Sequence, residues 1–199
     1  MKNVVLTIAA IAVTVSAFTF LGADLKAPKI GENVQTFSLK NYDGKEFALD
    51  NLLKENKFVV AMFISTQCPV SNAYNERMEK LNEEYAKKGV AFVGINANVK
   101  ETAADIAAHS KEHGFTFPVL KDINNKIADA YGAEHTPEVY VINAKGALVY
   151  HGRIDDSKDA SKIQSKDLAI TLDALLAGKE PPKTETKAFG CSIKRVEAD

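Results

Sequence analysis

Residues 58–69 read FVVAMFISTQCP, an apolar run that passes through a short polar segment to a cysteine and a proline. A stretch from Phe58 to Ile64 without a polar residue is typical of a strand that is covered on both faces. Proline is favoured at the first position of a helix, and apolar residues recur at helical spacing after Pro69. The pattern therefore predicts a buried strand followed by a helix, with Cys68 at the junction.

A cysteine at such a junction lies near the first backbone N–H groups of a helix, which have no partner within the helix. These groups favour the thiolate, which is the reactive form of cysteine. Ser71 follows one helical turn later, and its hydroxyl is either a donor to the sulfur or an ordinary solvated group. We therefore predict that Cys68 is a nucleophile, the alternative being a small buried apolar residue.

The composition bounds the class of protein. The chain has 199 residues, 46% of them hydrophobic and 26% charged, with a net charge of −1 and two cysteines. This balance is typical of one globular domain with short appendages. A nearly neutral chain without a basic block is not expected to bind nucleic acid. Two distant cysteines are too few for a structural zinc site, and no glycine-rich phosphate loop is present. No metal or cofactor is expected.

The first 23 residues predict export from the cytoplasm. A short basic start precedes a run that is mainly apolar from Val4, and Val15-Ser16-Ala17 fits the small-x-small pattern of a signal cleavage site. Apolar residues resume at Phe18 and reach the length of a membrane span, so a retained anchor is the alternative. Both interpretations place the remainder in a periplasmic or other extracytoplasmic compartment, where two cysteines often form a disulfide.

The remaining elements alternate between strands and helices. A hairpin is predicted over residues 36–49 around an Asp-Gly turn, and the order that follows it is β-α-β-α-(α)-β-β-α. We expect an α/β domain over residues 28–178, with a mixed central sheet, helices on both faces and an N-terminal β-hairpin. Residues 179–199 form a polar C-terminal tail that carries Cys191.

Three motifs carry a resemblance to a known family. They are Cys68-Pro69 followed by Ala73-Tyr74, then Thr136-Pro137-Glu138, and the sequence GRIDD over residues 152–156. In this order, residues 31–156 resemble the redoxin branch of the thioredoxin superfamily. That branch includes the alkyl hydroperoxide reductase/thiol-specific antioxidant proteins, and the chain is most similar to its peroxiredoxin-like 1 group. The resemblance implies a thioredoxin-like fold and a cysteine-based oxidoreductase.

The Thr136–Pro137 bond has two interpretations. A trans proline at the start of a strand is ordinary. The thioredoxin-like order of elements favours a cis bond, which would present the backbone of Thr136 beside Cys68 to an extended thiol-bearing partner. Thr136 and Pro137 are therefore predicted to orient that partner.

The chain departs from both better-known patterns of the superfamily. Thioredoxins carry Cys-x-x-Cys, whereas Ser71 stands at the second cysteine position here. Peroxiredoxins carry a proline seven residues before the cysteine, where this chain has Ala61. Arg77 and Arg153 are candidates for a peroxide-activating arginine, although each is more typical of an ion pair. We therefore expect thiol-disulfide exchange ahead of weak thiol peroxidase activity.

Cys191 is the predicted resolving partner of Cys68. It lies between Phe189 and Ile193, a pattern that could dock the tail onto the domain, and a long linker adds little to the cost of loop closure. The alternative is a free cysteine, or one that pairs between chains. The expected substrates are protein thiols or disulfides, or small peroxides, and an external dithiol is the expected reductant.

Two functions of other classes remain open on the residues alone. Cys68, Cys191 and His135 offer ligands that suit copper, so a metallochaperone is one alternative. A partner-binding domain that keeps the fold without catalysis is the other.

Overall fold

The computed structural model describes residues 26–197, so the signal or anchor predicted over residues 1–23 lies outside the described residues. The helices are α1 Leu49–Glu55, α2 Pro69–Asn72, α3 Asn75–Ala86, α4 Ala103–Glu112, α5 Lys126–Tyr131 and α6 Asp167–Leu176. The strands are β1 Ser38–Asn41, β2 Glu46–Ala48, β3 Phe58–Phe63, β4 Val90–Asn96, β5 Val119–Lys121, β6 His135–Thr136, β7 Glu138–Asn143, β8 Leu148–Gly152 and β9 Cys191–Ser192.

Seven strands form one mixed sheet in the order β2-β1-β5-β4-β3-β7-β8, and β6 pairs separately with β9. Strand β4 runs parallel to β3 on one side and to β5 on the other. Strand β7 runs antiparallel to both β3 and β8. The β1–β2 hairpin is antiparallel at the other end of the sheet. This arrangement confirms the predicted thioredoxin-like α/β fold with its N-terminal hairpin.

The sheet separates two apolar cores because successive side chains of a strand point to opposite faces. In β3, Ala61 and Phe63 belong to one core, and Met62 belongs to the other. Helices α1 and α5 pack on the first face, whereas α3, α4 and α6 pack on the second. Helices therefore cover both faces, as expected, and β3 lies between two bonded neighbours with all but its first residue buried.

Two local predictions were wrong. The helix predicted after Cys68 is divided into α2 and α3, because Tyr74 lies between them as the N-cap residue of α3. Residues 49–55 form a helix that the sequence pattern did not predict. Leu49 was assigned to the second hairpin strand, but the strand ends at Ala48 and Leu49 is buried as the first residue of α1. A helix of seven residues offers too few turns for its periodicity to stand out.

The C-terminal tail does not run free through solvent. It returns to the domain, where Ile193 is buried in the first core and Cys191-Ser192 forms a strand. Within residues 26–197, none of the helices combines the length and apolar character needed to cross a bilayer.

Candidate active site

Cys68 lies where the centre of the sheet meets α2. It is the N-cap residue of that helix, and Pro69 is the first helical residue. The backbone N–H of Ser71 donates to Cys68 Sγ over 3.3 Å. The Ser71 hydroxyl, the other candidate donor to the sulfur, instead accepts from the Ser65 N–H. The sulfur therefore receives a main-chain donor from the first turn, an arrangement that favours negative charge on it.

A buried carboxylate holds the loop that carries Cys68. Glu101 accepts from the Ser65 hydroxyl at 2.5 Å and from the Thr66 N–H at 2.7 Å. The Ser65 oxygen in turn accepts from the N–H of Cys68 at 3.0 Å. A continuous chain of hydrogen bonds thus runs from Glu101 to the backbone of the nucleophile.

The protonation of Glu101 depends on the same contacts. Burial alone would raise the pKa of Glu101, but the hydrogen bonds from Ser65, Thr66 and Asn96 outweigh it and leave the pKa below its usual value. A carboxylate that accepts several hydrogen bonds is stabilised in its charged form. Glu101 is therefore ionised at neutral pH and holds the loop as an acceptor.

The Thr136 segment faces Cys68 from the other side. The Thr136–Pro137 bond is cis, as predicted, and the carbonyl oxygen of Thr136 lies 3.4 Å from Cys68 Sγ. Thr136 itself is buried.

A second buried carboxylate supports this segment. Glu138 accepts from the backbone N–H groups of Glu134 and His135, each at 2.8 Å, and contacts His151 Nε2 at 2.7 Å. Burial opposes its ionisation, but the hydrogen bonds from His151, His135 and Glu134 prevail and lower the pKa of Glu138. Both sides of the site are thus positioned by a charged group inside the protein.

Cys191 is bonded to Cys68 in a disulfide, with the two Cα atoms 5.9 Å apart. It belongs to β9, which pairs antiparallel with β6 so that Cys191 lies opposite Thr136 and Ser192 lies opposite His135. The Ile193 N–H extends the pairing to the carbonyl of Glu134 at 2.9 Å. The predicted pairing of the two cysteines is confirmed, and the tail holds its cysteine as an added strand.

The tail is also attached on either side of β9. Before it, the Thr186 N–H donates to the carbonyl of His151 at 3.0 Å, and the Thr186 side chain accepts from the Arg153 N–H. After it, the Lys194 N–H donates to Asn98 Oδ1 at 2.7 Å, and the carbonyl of Lys194 accepts from the Val99 N–H. The tail therefore bridges the end of β8 and the loop that carries Glu101.

The two sulfur-bearing residues differ in access. Cys68 is 3% exposed and is bonded to the tail through Cys191, whereas Cys191 is half-buried. Cys68 belongs to neither of the two apolar cores. A partner that approaches the disulfide therefore meets the more exposed Cys191 first.

Other predicted site residues lie elsewhere. Arg77 pairs with Asp155 and Arg153 with Asp167, so both arginines form ion pairs as the sequence suggested. His135 lies on β6 and faces Glu138 at 3.9 Å. Over the described part of the chain, no three histidine, cysteine or acidic side chains are grouped as metal ligands.

Glu101 and Glu138 were not identified from the sequence. Glu138 is visible in the sequence only as part of the Thr136-Pro137-Glu138 motif, and Glu101 lies two residues before the first residue of α4, Ala103. A signal was available, since an acidic residue shortly after a buried strand lies at the edge of the sheet where the reactive groups of such folds collect.

Comparison with known proteins agrees with this geometry. Residues 30–151 match the AhpC/TSA family. The thiol-disulfide oxidoreductase ResA of Halalkalibacterium halodurans is 30% identical over 149 residues, which cover 75% of this chain and 82% of that protein.

Solved structures give the same fold. A hypothetical protein of Sinorhizobium meliloti 1021 superposes with a TM-score of 0.80 and 32% identity, over 87% of this chain and 98% of that one. The peroxidoxin BcpB of Mycobacterium tuberculosis shares the fold at a TM-score of 0.61 and 21% identity, over 76% of this chain and 97% of that one. The chain belongs to the AhpC/TSA family, and its resemblance to the redoxin branch is confirmed.

Proposed function

We propose that this member of the AhpC/TSA family is a thiol-disulfide oxidoreductase whose redox couple is Cys68 and Cys191. The observation that carries the proposal is their disulfide across 123 positions of sequence, at the one place where a sheet-end cysteine meets the Thr136 segment. The relationship to a thiol-disulfide oxidoreductase of similar length supports it.

The reduced chain acts through Cys68. Its thiolate attacks one sulfur of a client disulfide, forms a mixed disulfide and releases the other client sulfur as a thiolate. The Ser71 N–H stabilises the reacting sulfur, and the Thr136 segment with Pro137 aligns the client backbone. The thiolate of Cys191 then attacks Cys68 Sγ, which forms the Cys68–Cys191 bond and releases the second client thiolate. The client gains two electrons and the chain loses two.

An external dithiol resets the chain. Its thiolate attacks the half-buried Cys191, because Cys68 is covered, and Cys68 leaves as a thiolate toward the Ser71 N–H. The second thiol of the donor then attacks the mixed disulfide and frees Cys191. A leaving sulfur that is stabilised as thiolate departs faster. The exposure of Cys191 and the stabilisation of the Cys68 thiolate therefore both favour attack of the reductant on Cys191.

The proposal includes an extracytoplasmic location. Residues 1–23 carry the pattern of a signal or anchor, and a structural or catalytic disulfide persists in an oxidising compartment. An uncleaved segment would attach the domain to the membrane.

The test traps the client. Full-length Cys191→Ser protein retains Cys68 but cannot resolve a mixed disulfide, so it should accumulate covalent adducts that a reductant releases. The matched control is the Cys68→Ser, Cys191→Ser double variant, which should accumulate none. Equal adduct formation by the two proteins, or retained turnover in a Cys68→Ser variant, would rule the mechanism out.

A further inference from the structure

The tail presents three alternate side chains to the domain. Phe189 meets the ring of Tyr74 edge-on at 6.4 Å, Cys191 bonds to Cys68, and Ile193 is buried. These residues alternate along the chain on either side of and within the two-residue strand β9. The residues that bind are therefore at positions −2, 0 and +2 relative to the cysteine.

Position −1 is the most restricted point of the segment. Gly190 has a φ of +156°, and a Cβ atom there would overlap the carbonyl oxygen of Thr136. That oxygen belongs to a buried residue of the Cys68 site and is backbone, so it cannot rotate away as a side chain would. Only glycine therefore fits at position −1 when the following cysteine approaches Cys68 along the path that the tail takes.

Position +4 adds a charge. Arg195 Nε lies 2.8 Å from Asp129 Oδ1, and its Nη2 donates to the carbonyl of Ala133 at 2.6 Å. Both side chains of this ion pair are partly exposed, so the surface beside β6 that the tail occupies, here called the groove, has a weak preference for a basic residue four positions after the cysteine.

We propose that the tail is a built-in pseudosubstrate, and that clients enter the same groove as extended segments whose reactive cysteine directly follows a glycine. The inference rests on the proposed function and names its substrate class. An aromatic residue at −2, an aliphatic one at +2 and a basic one at +4 complete the preferred segment. The tail is bonded to Cys68 and paired with β6, so a docked tail and a docked client segment exclude each other. Cys191 resolves the mixed disulfide as the returning tail displaces the client segment.

The test compares two peptides on one protein. Full-length Cys191→Ser protein reacts with the peptide AFGCSIKR, whose cysteine carries 2-nitro-5-thiobenzoate in disulfide linkage, and with the same peptide containing alanine in place of glycine. Attack by Cys68 on the peptide sulfur forms the mixed disulfide and releases the coloured thiolate. We expect the glycine peptide to react at least about tenfold faster, the discrimination that one added methyl group typically brings in a fitted site. Glutathione, which has no groove, should react equally with both peptides.

A second variant tests whether the groove is shared. Adding Arg195→Ala to Cys191→Ser removes the contact with Asp129, so the tail competes less and both peptides should react faster with an unchanged ratio. The inference would be overturned if the rates with the two peptides differed by less than twofold, or if the second variant reacted no faster than the first. Fast reaction of Cys68 with both peptides would in either case leave the proposed function intact. If neither peptide reacts faster with Cys68 than with glutathione, the inference and the proposed function both fail.

Discussion

The two reacting sulfurs belong to regions of very different construction. Cys68 follows β3, which is bonded on both edges and buried on both faces. Cys191 lies on a two-residue strand at the end of a long connection. That segment is held by scattered main-chain hydrogen bonds, a few side-chain contacts and the disulfide itself. The first region is part of the core, and the second is attached to it.

This difference separates two tasks. Local opening costs most where apolar burial and sheet bonding are greatest, and least in peripheral segments. The Cys68 site can therefore stay formed while the tail detaches to admit a client and returns to resolve it. Each prediction below tests whether the two cysteines divide the work in this way.

The largest effect is expected from removing one sulfur at a time. Cys68→Ser should abolish the reduction of a disulfide reporter, because a serine hydroxyl is not ionised near neutral pH and does not replace the thiolate. Cys191→Ser should keep the first half-reaction, measured as one equivalent of mixed disulfide, and lose turnover. If Cys191→Ser also failed in that single step, the division between the two sulfurs would be wrong.

Reduction of the disulfide should loosen the tail and spare the core. A bond that closes a loop of 123 residues constrains the unfolded chain, so reduction should lower the free energy of unfolding by about 5 kcal/mol. Urea unfolding of oxidised and reduced protein measures this. Hydrogen exchange should then show rapid exchange at the amides of Thr186 and Ile193 while β3 remains protected. Uniform loss of protection through β3 would show that the tail is part of the core after all.

The loop that carries Cys68 depends on an internal charge. Glu101→Gln should lower the free energy of unfolding by about 1–3 kcal/mol, because an amide places N–H groups against the donors that now face the carboxylate. The pKa of Glu101 is below its ordinary value of 4.5. Its contribution is therefore complete above that pH and is lost as the pH falls through the folded-state pKa. The difference between variant and wild type should shrink over the same interval.

The control for that experiment is Glu76→Gln. Glu76 also has a lowered pKa, through a hydrogen bond from Lys80, but it is fully exposed on the helix surface. Its replacement should leave urea unfolding unchanged within error. Identical behaviour of the two variants would mean that the hydrogen bonds of Glu101 do not hold the loop.

The smallest effect is expected in the tail alone. Gly190→Ala should shift the redox equilibrium with glutathione toward the dithiol by about tenfold, since the added methyl group opposes docking of β9. Gly178→Ala is the matched control, because Gly178 also has a positive φ but an added Cβ would meet nothing within 4 Å. An equal shift in both variants would show that the overlap of the added methyl group with Thr136 is not what opposes docking of β9.

The sequence predicts those parts of the architecture that depend on short, contiguous stretches of the chain. The apolar run of β3 and the Cys68-Pro69 junction are visible in single stretches of chain, and they place the nucleophile correctly. The pairing with Cys191 was also predicted, from the presence of two cysteines and a flexible reach.

The rest depends on contacts between distant residues. Two residues such as Cys191-Ser192 have no strand pattern of their own and become β9 only by pairing with β6. The role of Ser71 could not be read either, because its hydroxyl and its N–H both lie near the site and only the fold decides which one meets the sulfur. Glu101 gains its function from Ser65 and Thr66, which are more than thirty positions away.

The most direct measurement is peptide mapping of the unreduced full-length chain across a series of glutathione redox buffers. We predict one linked peptide that joins Cys68 to Cys191 within a single chain, and the simultaneous appearance of both free thiols as the buffer becomes reducing. Recovery of both thiols free in excess glutathione disulfide, or of Cys191 only in links between chains, would contradict the redox couple proposed here.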